Sequence, residues 1–212
     1  MMICSVCHSN RVEMFEEINS KMYWQCFECS AKFLHKSHFL SSEDEYKHYC
    51  THENIIDDPN YRRFLSRLSK PLKNILTTHK IGLDYGCGPG PQLSAMLIED
   101  GYEMQNYDPF FYPDKKVLSS TFDFITCSET VEHFYDPFSE FNLLDKMLHP
   151  SGVLAIMTNF LQDNLPFKGW YYVQDPTHVV FYSKKTFEKI ALQREWICHF
   201  PDQNIVLFKK TK

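Results

Sequence analysis

The segment from Ile81 to Leu97, IGLDYGCGPGPQLSAML, limits the possible folds of this chain more than any other. A short apolar strand ends at Asp84, three glycines follow at alternate positions, and a helix pattern begins near Pro91. Glycine lets a backbone pass close to a ligand, and a helix N-terminus offers unpaired N–H groups to a carboxylate. The order of strand, glycine turn and helix therefore predicts an α/β fold that binds a ligand at the end of this strand.

The next strand pattern, from Tyr102 to Asp108, ends in an acidic residue about twenty positions after the turn. An acidic residue at this place binds the ribose hydroxyls of a nucleotide-containing cofactor. Nicotinamide enzymes share this arrangement, but their glycine fingerprint requires a small residue where this chain has Pro91. The pattern therefore fits a dehydrogenase or an epimerase poorly.

At these residues the chain resembles the class I S-adenosylmethionine-dependent methyltransferases, whose signature reads like Leu83–Gly90, LDYGCGPG. The resemblance covers about 130 residues, because segments 122–141 and 147–159 resemble the fourth strand, the helix after it and the fifth strand. The Glu132-His133 pair is similar to a subgroup that includes ubiquinone-pathway and other small-molecule methyltransferases. The resemblance implies a Rossmann-like sheet of seven strands, the last antiparallel, with helices on both faces.

The resemblance also assigns residues to the S-adenosylmethionine cofactor at the positions that match. Asp84 is expected to organise the turn, and Asp108 to bind the ribose. The residues placed along the methionine part or at the end of the fourth strand are Gly86, Cys87, Gly88, Gly90, Cys127, Ser128 and Glu129. Thirteen residues separate Asp108 from Phe122, so the third strand is expected to be very short, and no residue is assigned to adenine.

Two C-x-x-C pairs lie near the N-terminus, eighteen residues apart, and consist of Cys4, Cys7, Cys26 and Cys29. This spacing lets four thiolates surround one tetrahedral metal ion, with no position left for water. A segment of about 40 residues buries too little core to be stable alone, so the metal would supply folding free energy. We therefore expect a zinc-ribbon-like module with a structural zinc, although iron uses the same thiolates.

The predicted domain organisation is a zinc module over residues 1–40, a connector with an amphipathic helix over 41–78, and the methyltransferase domain over 79–212. The polar stretch 41–58 is interpreted as a connector, and a helix is predicted to begin at Asp58-Pro59 and dock its leucines on the next domain. Five histidines near the cysteines are interpreted as surface residues: His8, His35, His38, His48 and His52.

The acceptor site is predicted after the fifth strand, in segment 159–183, where aromatic residues surround one aspartate and one histidine. His178 is a candidate general base, with Asp175 setting its tautomer, and His133 is a competing base. Aromatic residues of this segment are predicted to form a lid, with acceptor contacts from Trp170, Tyr171 and Tyr172 and further members Phe167, Phe181 and Tyr182. The alternative is that these aromatic residues are core packing.

Charge narrows the class of acceptor. The chain has a net charge of −5, and residues 81–212 hold 11 basic and 17 acidic side chains, a poor match for nucleic acid. We therefore expect a small-molecule acceptor such as a sugar, phenol or carboxylic acid.

Two alternatives stay open. One is RNA, since the arrangement also resembles an rRNA guanine methyltransferase; the other is a zinc-ribbon scaffold without turnover. The chain has neither a signal-peptide pattern nor an apolar run of about 18 residues, so we expect a cytoplasmic protein without membrane contact. The oligomeric state stays open.

Overall fold

The computed structural model describes residues 2–51, 57–77, 79–162 and 165–211. His52 therefore lies outside the described residues. The helices are α1 (Ser42–Tyr49), α2 (Pro59–Lys73), α3 (Gln92–Glu99), α4 (Pro137–Met147) and α5 (Lys184–Arg194). The strands are β1 (Val12–Ile18), β2 (Lys21–Cys26), β3 (Lys32–Leu34), β4 (Ile81–Tyr85), β5 (Glu103–Tyr107), β6 (Phe122–Ser128), β7 (Leu148–Met157), β8 (Val180–Phe181), β9 (Ile197–Asp202) and β10 (Ile205–Lys209). No described helix is both long and apolar enough to span a bilayer.

The larger sheet has the strand order β5-β4-β6-β7-β10-β9. The first four strands are parallel, and the last strand of the chain, β10, is antiparallel to both neighbours, as expected. Side chains alternate between two faces along β6, because Phe124 packs in the core that contains α2 and α3 while Ile125 packs in the core of α4 and α5. Helices therefore cover both faces, which confirms the predicted fold class.

The predicted count of seven strands was wrong by one, because the expected third strand does not form. Residues 109–121 instead make a bridge between Asp108 and Tyr112 and a short 3₁₀ turn at Val117–Ser119. A return to a parallel strand needs a crossover of about a dozen residues or more in addition to the strand itself. Thirteen residues are too few for both.

Helix α2 begins as the sequence predicted and docks on the larger sheet. Asp58 caps it by accepting a hydrogen bond from the N–H of Asn60, and Pro59 occupies the first turn. Its buried leucines, Leu65, Leu68 and Leu72, join a core cluster with residues of α3, β6, β7 and β10. The helix thereby closes one face of the sheet beside the glycine turn.

The N-terminal module is an antiparallel meander of β1, β2 and β3, and KMYWQC forms β2 as predicted. Its sheet takes a fourth strand from the methyltransferase domain, since β3 pairs with β8 through Lys32–Phe181 and Phe33–Val180. The module boundary near residue 40 stays a prediction. The pairing of β3 with β8 joins the predicted module to the rest of the chain by backbone hydrogen bonds. The N-terminal module therefore supports the segment that follows His178.

Candidate active site

The glycine turn connects β4 to α3 and holds the end of β5. Gly86 and Gly88 have φ values of 75° and 65°, which favour glycine over residues with a side chain. The N–H of Gly86 donates to the carbonyl of Tyr107 at 2.8 Å, and the N–H of Gly88 donates to the Asp108 carboxylate at 3.0 Å. The turn and the predicted ribose-binding carboxylate are thus joined directly.

Asp108 is 8% exposed and also accepts the N–H groups of Phe110 and Phe111 at 2.9 and 3.0 Å. A carboxylate offers about four lone-pair positions, so three backbone donors leave capacity for one ligand hydroxyl. Asp84, the other acid of this region, is buried and accepts from the Thr126 hydroxyl at 2.8 Å. Burial raises the pKa of Asp84 to about 6.

Gln92, which the sequence analysis missed, is the first residue of α3 and is 1% exposed. Its Oε1 accepts the N–H of Asp57, and its Nε2 has no hydrogen-bond partner among the described residues. A buried amide donor without a partner beside a helix N-terminus suits the carboxylate of a ligand. The signal that marks it is its place directly after the glycine turn.

These residues open into a cavity of about 1100 Å³. The predicted cofactor residues that line it are Asp84, Gly86, Cys87, Gly88, Gly90, Asp108, Ser128 and Glu129. Cys127 does not line it, which corrects the prediction. Neighbouring side chains alternate along a strand, so Cys127 enters the core while Ser128 faces the cavity.

Helix α1 also lines the cavity, whereas the sequence predicted a connector over these residues. Ser41 caps it by accepting the N–H of Asp44 at 3.2 Å, and Glu45, His48 and Tyr49 line the cavity. His48 was predicted to be a surface residue, which was wrong, because it is partly buried and its Nε2 lies 3.3 Å from Asp175. The available signal was the Ser-x-x-Asp cap.

His178 lies 8% exposed in the cavity wall. Its Nδ1 is 2.7 Å from the carbonyl oxygen of Tyr172, and a carbonyl only accepts, so Nδ1 carries the proton and Nε2 the lone pair. Asp175 was predicted to set this tautomer, but its carboxylate is 3.9 Å from Nε2 and accepts instead from Thr177. The backbone of Tyr172 takes the role that was assigned to Asp175.

The competing base, His133, also lines the cavity. Its Nδ1 lies 3.2 Å from the carbonyl oxygen of Thr177, and its ring centroid is 4.7 Å from that of His178. The structure therefore brings both predicted bases together in one wall.

Two glutamates, Glu129 and Glu132, share the hydroxyl of Tyr172. That hydroxyl donates to Glu132, which is fully buried, and lies 3.4 Å from Glu129. Burial and the neighbouring Glu132 raise the pKa of Glu129 to about 9. Thr158 donates a second hydrogen bond to Glu132 at 3.0 Å. This buried network has no signature in the sequence, where Glu132 is only part of the family resemblance.

The predicted aromatic lid is mostly core packing. Tyr171 is 70% exposed at the cavity and Tyr172 lines it, whereas Trp170 packs on Tyr172 and Phe181 and does not line it. The other predicted members, Phe167, Phe181 and Tyr182, are buried. Trp170 is therefore not placed to contact an acceptor in this cavity.

The four N-terminal cysteines converge as predicted. Their sulfur atoms all lie within 4.8 Å of one another, with 3.7 Å between Cys4 and Cys29 and 3.6 Å between Cys7 and Cys26. Thiolates that bind one tetrahedral zinc at about 2.3 Å are separated by about 3.8 Å. The donor set and its spacing thus fit a closed zinc site.

The comparisons agree with this architecture. A family model described as a methyltransferase domain matches residues 54–199. Comparison with curated proteins gives no match. The fold is similar to 1,6-didemethyltoxoflavin-N1-methyltransferase of Burkholderia thailandensis, solved with 1,6-didemethyltoxoflavin and S-adenosylhomocysteine, at a TM-score of 0.52 and 12% identity over 94% of this chain and 100% of that one. It is also similar to the PH0226 protein of Pyrococcus horikoshii OT3, at a TM-score of 0.51 and 16% identity over 78% and 99% of the two chains. At identities this low, these structural matches show a shared fold.

Proposed function

Since this chain belongs to the methyltransferase-domain family and is an S-adenosylmethionine-dependent methyltransferase, we propose that its acceptor is a small molecule bound in the 1100 Å³ cavity. One observation carries this proposal. The glycine turn and Asp108 line the same cavity as His178, so the cofactor residues and a candidate base face a common space.

The residues around the glycine turn have side chains and N–H groups that match the groups of S-adenosylmethionine. Asp108 would hold the ribose, and Gln92 with the N-terminus of α3 would hold the carboxylate of the methionine part. When bound, S-adenosylmethionine supplies a methyl group that is already activated on a sulfonium. The protein therefore has to align the acceptor and remove its proton.

His178 is the proposed base, because its tautomer leaves the Nε2 lone pair on the cavity side. Replacing it by asparagine is expected to lower S-adenosylhomocysteine formation with any accepted substrate by about 10²–10⁴-fold and to leave cofactor affinity unchanged. The half-exposed His149 gives the control variant His149→Asn. An equal loss in both variants would contradict the assignment.

The cofactor assignment is tested by calorimetric titration of the zinc-replete protein with S-adenosylhomocysteine and, separately, with NAD. We expect binding of the first only, lost in Asp108→Ala and Gly86→Val. Asp114→Ala is the control, since Asp114 is exposed six residues further along the chain. If the wild-type protein does not bind S-adenosylhomocysteine, or if Asp108→Ala still binds it, the proposal is refuted.

An RNA acceptor has less support from the charges on α2. Arg62 pairs with Asp57 and Glu99, and Arg67 pairs with Asp202, so acidic groups already neutralise part of this basic face. Salt-dependent RNA binding that disappears on alanine substitution of Arg62, Arg63 and Arg67 would favour the RNA alternative. Cofactor binding without turnover on any acceptor would favour the scaffold.

The four cysteines are proposed to hold a structural zinc. Zinc binding would supply folding free energy that the small core of the module cannot provide. It would also keep β3 paired with β8. Metal analysis of the purified protein tests this proposal, and one equivalent of iron in place of zinc would contradict it.

A further inference from the structure

Carboxyl groups and histidines are the acidic and basic side chains that line the cavity. Its described lining residues include no lysine or arginine. Six carboxyl groups line it: Glu45, Asp84, Asp108, Glu129, Glu140 and Asp175. Proteins bind carboxylates and phosphates mainly through charged donors from arginine and lysine. An anionic acceptor would therefore meet carboxyl groups here and no lysine or arginine among the described lining residues.

Most of these carboxyl groups already accept hydrogen bonds from the protein. The donors are the Gly88 N–H to Asp108, the Thr126 hydroxyl to Asp84, the Tyr85 hydroxyl to Glu140, the Thr177 N–H to Asp175 and the Tyr49 hydroxyl to Glu45. Glu129 differs from them. Its Oε1 is buried and accepts nothing from the described residues, and its Oε2 has only the Tyr172 hydroxyl at 3.4 Å. A buried acceptor without a donor is costly, so Glu129 calls for a donor from a ligand.

A second acceptor belongs to the same group of side chains. The Tyr172 hydroxyl lies beside Glu129, and the Tyr172 ring centroid is 4.1 Å from that of His178. His178 is more than nine-tenths buried, and its Nε2 has no hydrogen bond among the described residues, the nearest carboxylate oxygen being 3.9 Å away on Asp175. The cavity thus offers two acceptors, Glu129 Oε1 and His178 Nε2.

The number of donors distinguishes the possible acceptor groups. A hydroxyl has one proton and satisfies one of the two acceptors, whereas a primary ammonium has three N–H donors and satisfies both. Tyr49, Tyr171 and Tyr172 line the same space, and aromatic rings stabilise a nearby cation. Burial and the neighbouring Glu132 raise the pKa of Glu129, and Arg67 opposes this effect. A cationic ligand would lower the free-energy cost of ionising Glu129.

We infer that the acceptor is an amine, bound as an ammonium between Glu129 and His178 and methylated on nitrogen; this inference rests on the proposed function. His178 Nε2 takes one proton from the ammonium. The freed nitrogen lone pair forms the new C–N bond with the methyl carbon, and the electron pair of the broken C–S bond stays on sulfur. The products are the N-methylated amine as its ammonium ion, protonated His178 and neutral S-adenosylhomocysteine.

The test uses three probes with one carbon skeleton: 2-phenylethylamine, 2-phenylethanol and phenylacetate. Each is titrated calorimetrically into the full-length, zinc-replete protein, both free and saturated with S-adenosylhomocysteine. We expect the amine to bind at least about tenfold more tightly than the alcohol, and the carboxylate not at all. Equal or tighter binding of the alcohol or the carboxylate, or no amine binding up to about 10 mM, would overturn the inference.

The variant Glu129→Gln keeps the side-chain shape and removes the ionisable carboxyl group that would pair with an ammonium. It should weaken amine binding about tenfold or more and leave S-adenosylhomocysteine affinity unchanged, whereas Glu43→Gln, on the exposed side of α1, should change neither. If Glu129 serves only the sulfonium, Glu129→Gln will weaken S-adenosylmethionine and not the amine, which also overturns the inference. If the wild-type protein does not bind S-adenosylhomocysteine, that result counts against the proposed function. The preference for the amine is still tested in that case, because it is also measured on the protein free of S-adenosylhomocysteine.

Discussion

Replacing Gly86 by alanine tests the conformation of the glycine turn. Gly86 has a φ of 75°, and an added Cβ would lie 2.8 Å from Oγ1 and 3.0 Å from Cβ of Thr130 and closer still to its methyl group. The left-handed conformation costs an L-residue about 1–2 kcal/mol. Overpacking against a side chain costs about 1–3 kcal/mol more. We therefore expect Gly86→Ala to lower the free energy of unfolding by about 2–5 kcal/mol, a large share of ordinary domain stability.

The assay is urea denaturation followed by circular dichroism, with calorimetric S-adenosylhomocysteine titration on the same samples. Gly101→Ala is a matched control, because Gly101 has a φ of 90° and no atom within 4 Å of an added Cβ, so it tests backbone strain alone. The double variant Gly86→Ala/Thr130→Ser removes the clashing methyl and keeps the hydroxyl that donates to Ser128, and should recover part of the steric cost. If Gly86→Ala costs no more than Gly101→Ala and the double variant recovers nothing, the reasoning is refuted.

Three further predictions concern the metal module, a helix cap and a buried acid. Cys26→Ser should lose bound zinc and lower the melting temperature, whereas Cys50→Ser, at an exposed thiol, should do neither; metal analysis and thermal melts decide. Ser183→Ala removes the cap on the Thr186 N–H and should cost about 1 kcal/mol in urea denaturation, and an unchanged midpoint would contradict it. Burial raises the pKa of Asp84 from 3.8 to about 6, so the folded state binds the proton more tightly than the unfolded chain. The stability that protonated Asp84 contributes is fully present below pH 3.8 and is lost as the pH rises through about 6. Relative to Asp84→Asn, the wild type should therefore lose about 3 kcal/mol of unfolding free energy between pH 3.5 and pH 7. Urea denaturation of both proteins at the two pH values measures this difference, and an equal change in both would disprove the prediction.

The features that were predicted correctly are those whose physical cause lies within a few residues of one another. The Asp58-Pro59 start of α2 and the glycine turn at Gly86 depend on local backbone conformation and local donors. The paired Cys-x-x-C spacing makes two thiolates converge on one ion wherever the module lies. Such signals survive in the sequence because they need no knowledge of distant partners.

The missing third strand also has a cause that can be read from the chain. Thirteen residues between Asp108 and Phe122 are too few for a strand and its crossover. The family resemblance nevertheless implies a short third strand at this place. Chain length was the better guide there.

What only the tertiary structure decided is which polar residues face the cavity and which partners they meet. A helix that lines a wet cavity has the composition of a solvated surface, so Glu45 and His48 of α1 were indistinguishable from a connector. The tautomer of His178 depends on the backbone carbonyl of Tyr172, which has no signature in side-chain identity. The sequence by itself therefore determined the fold class, the convergence of the four cysteines and the glycine turn, because these follow from local geometry. The acceptor wall arose only when folding brought α1, Glu129 and His178 together from distant parts of the chain.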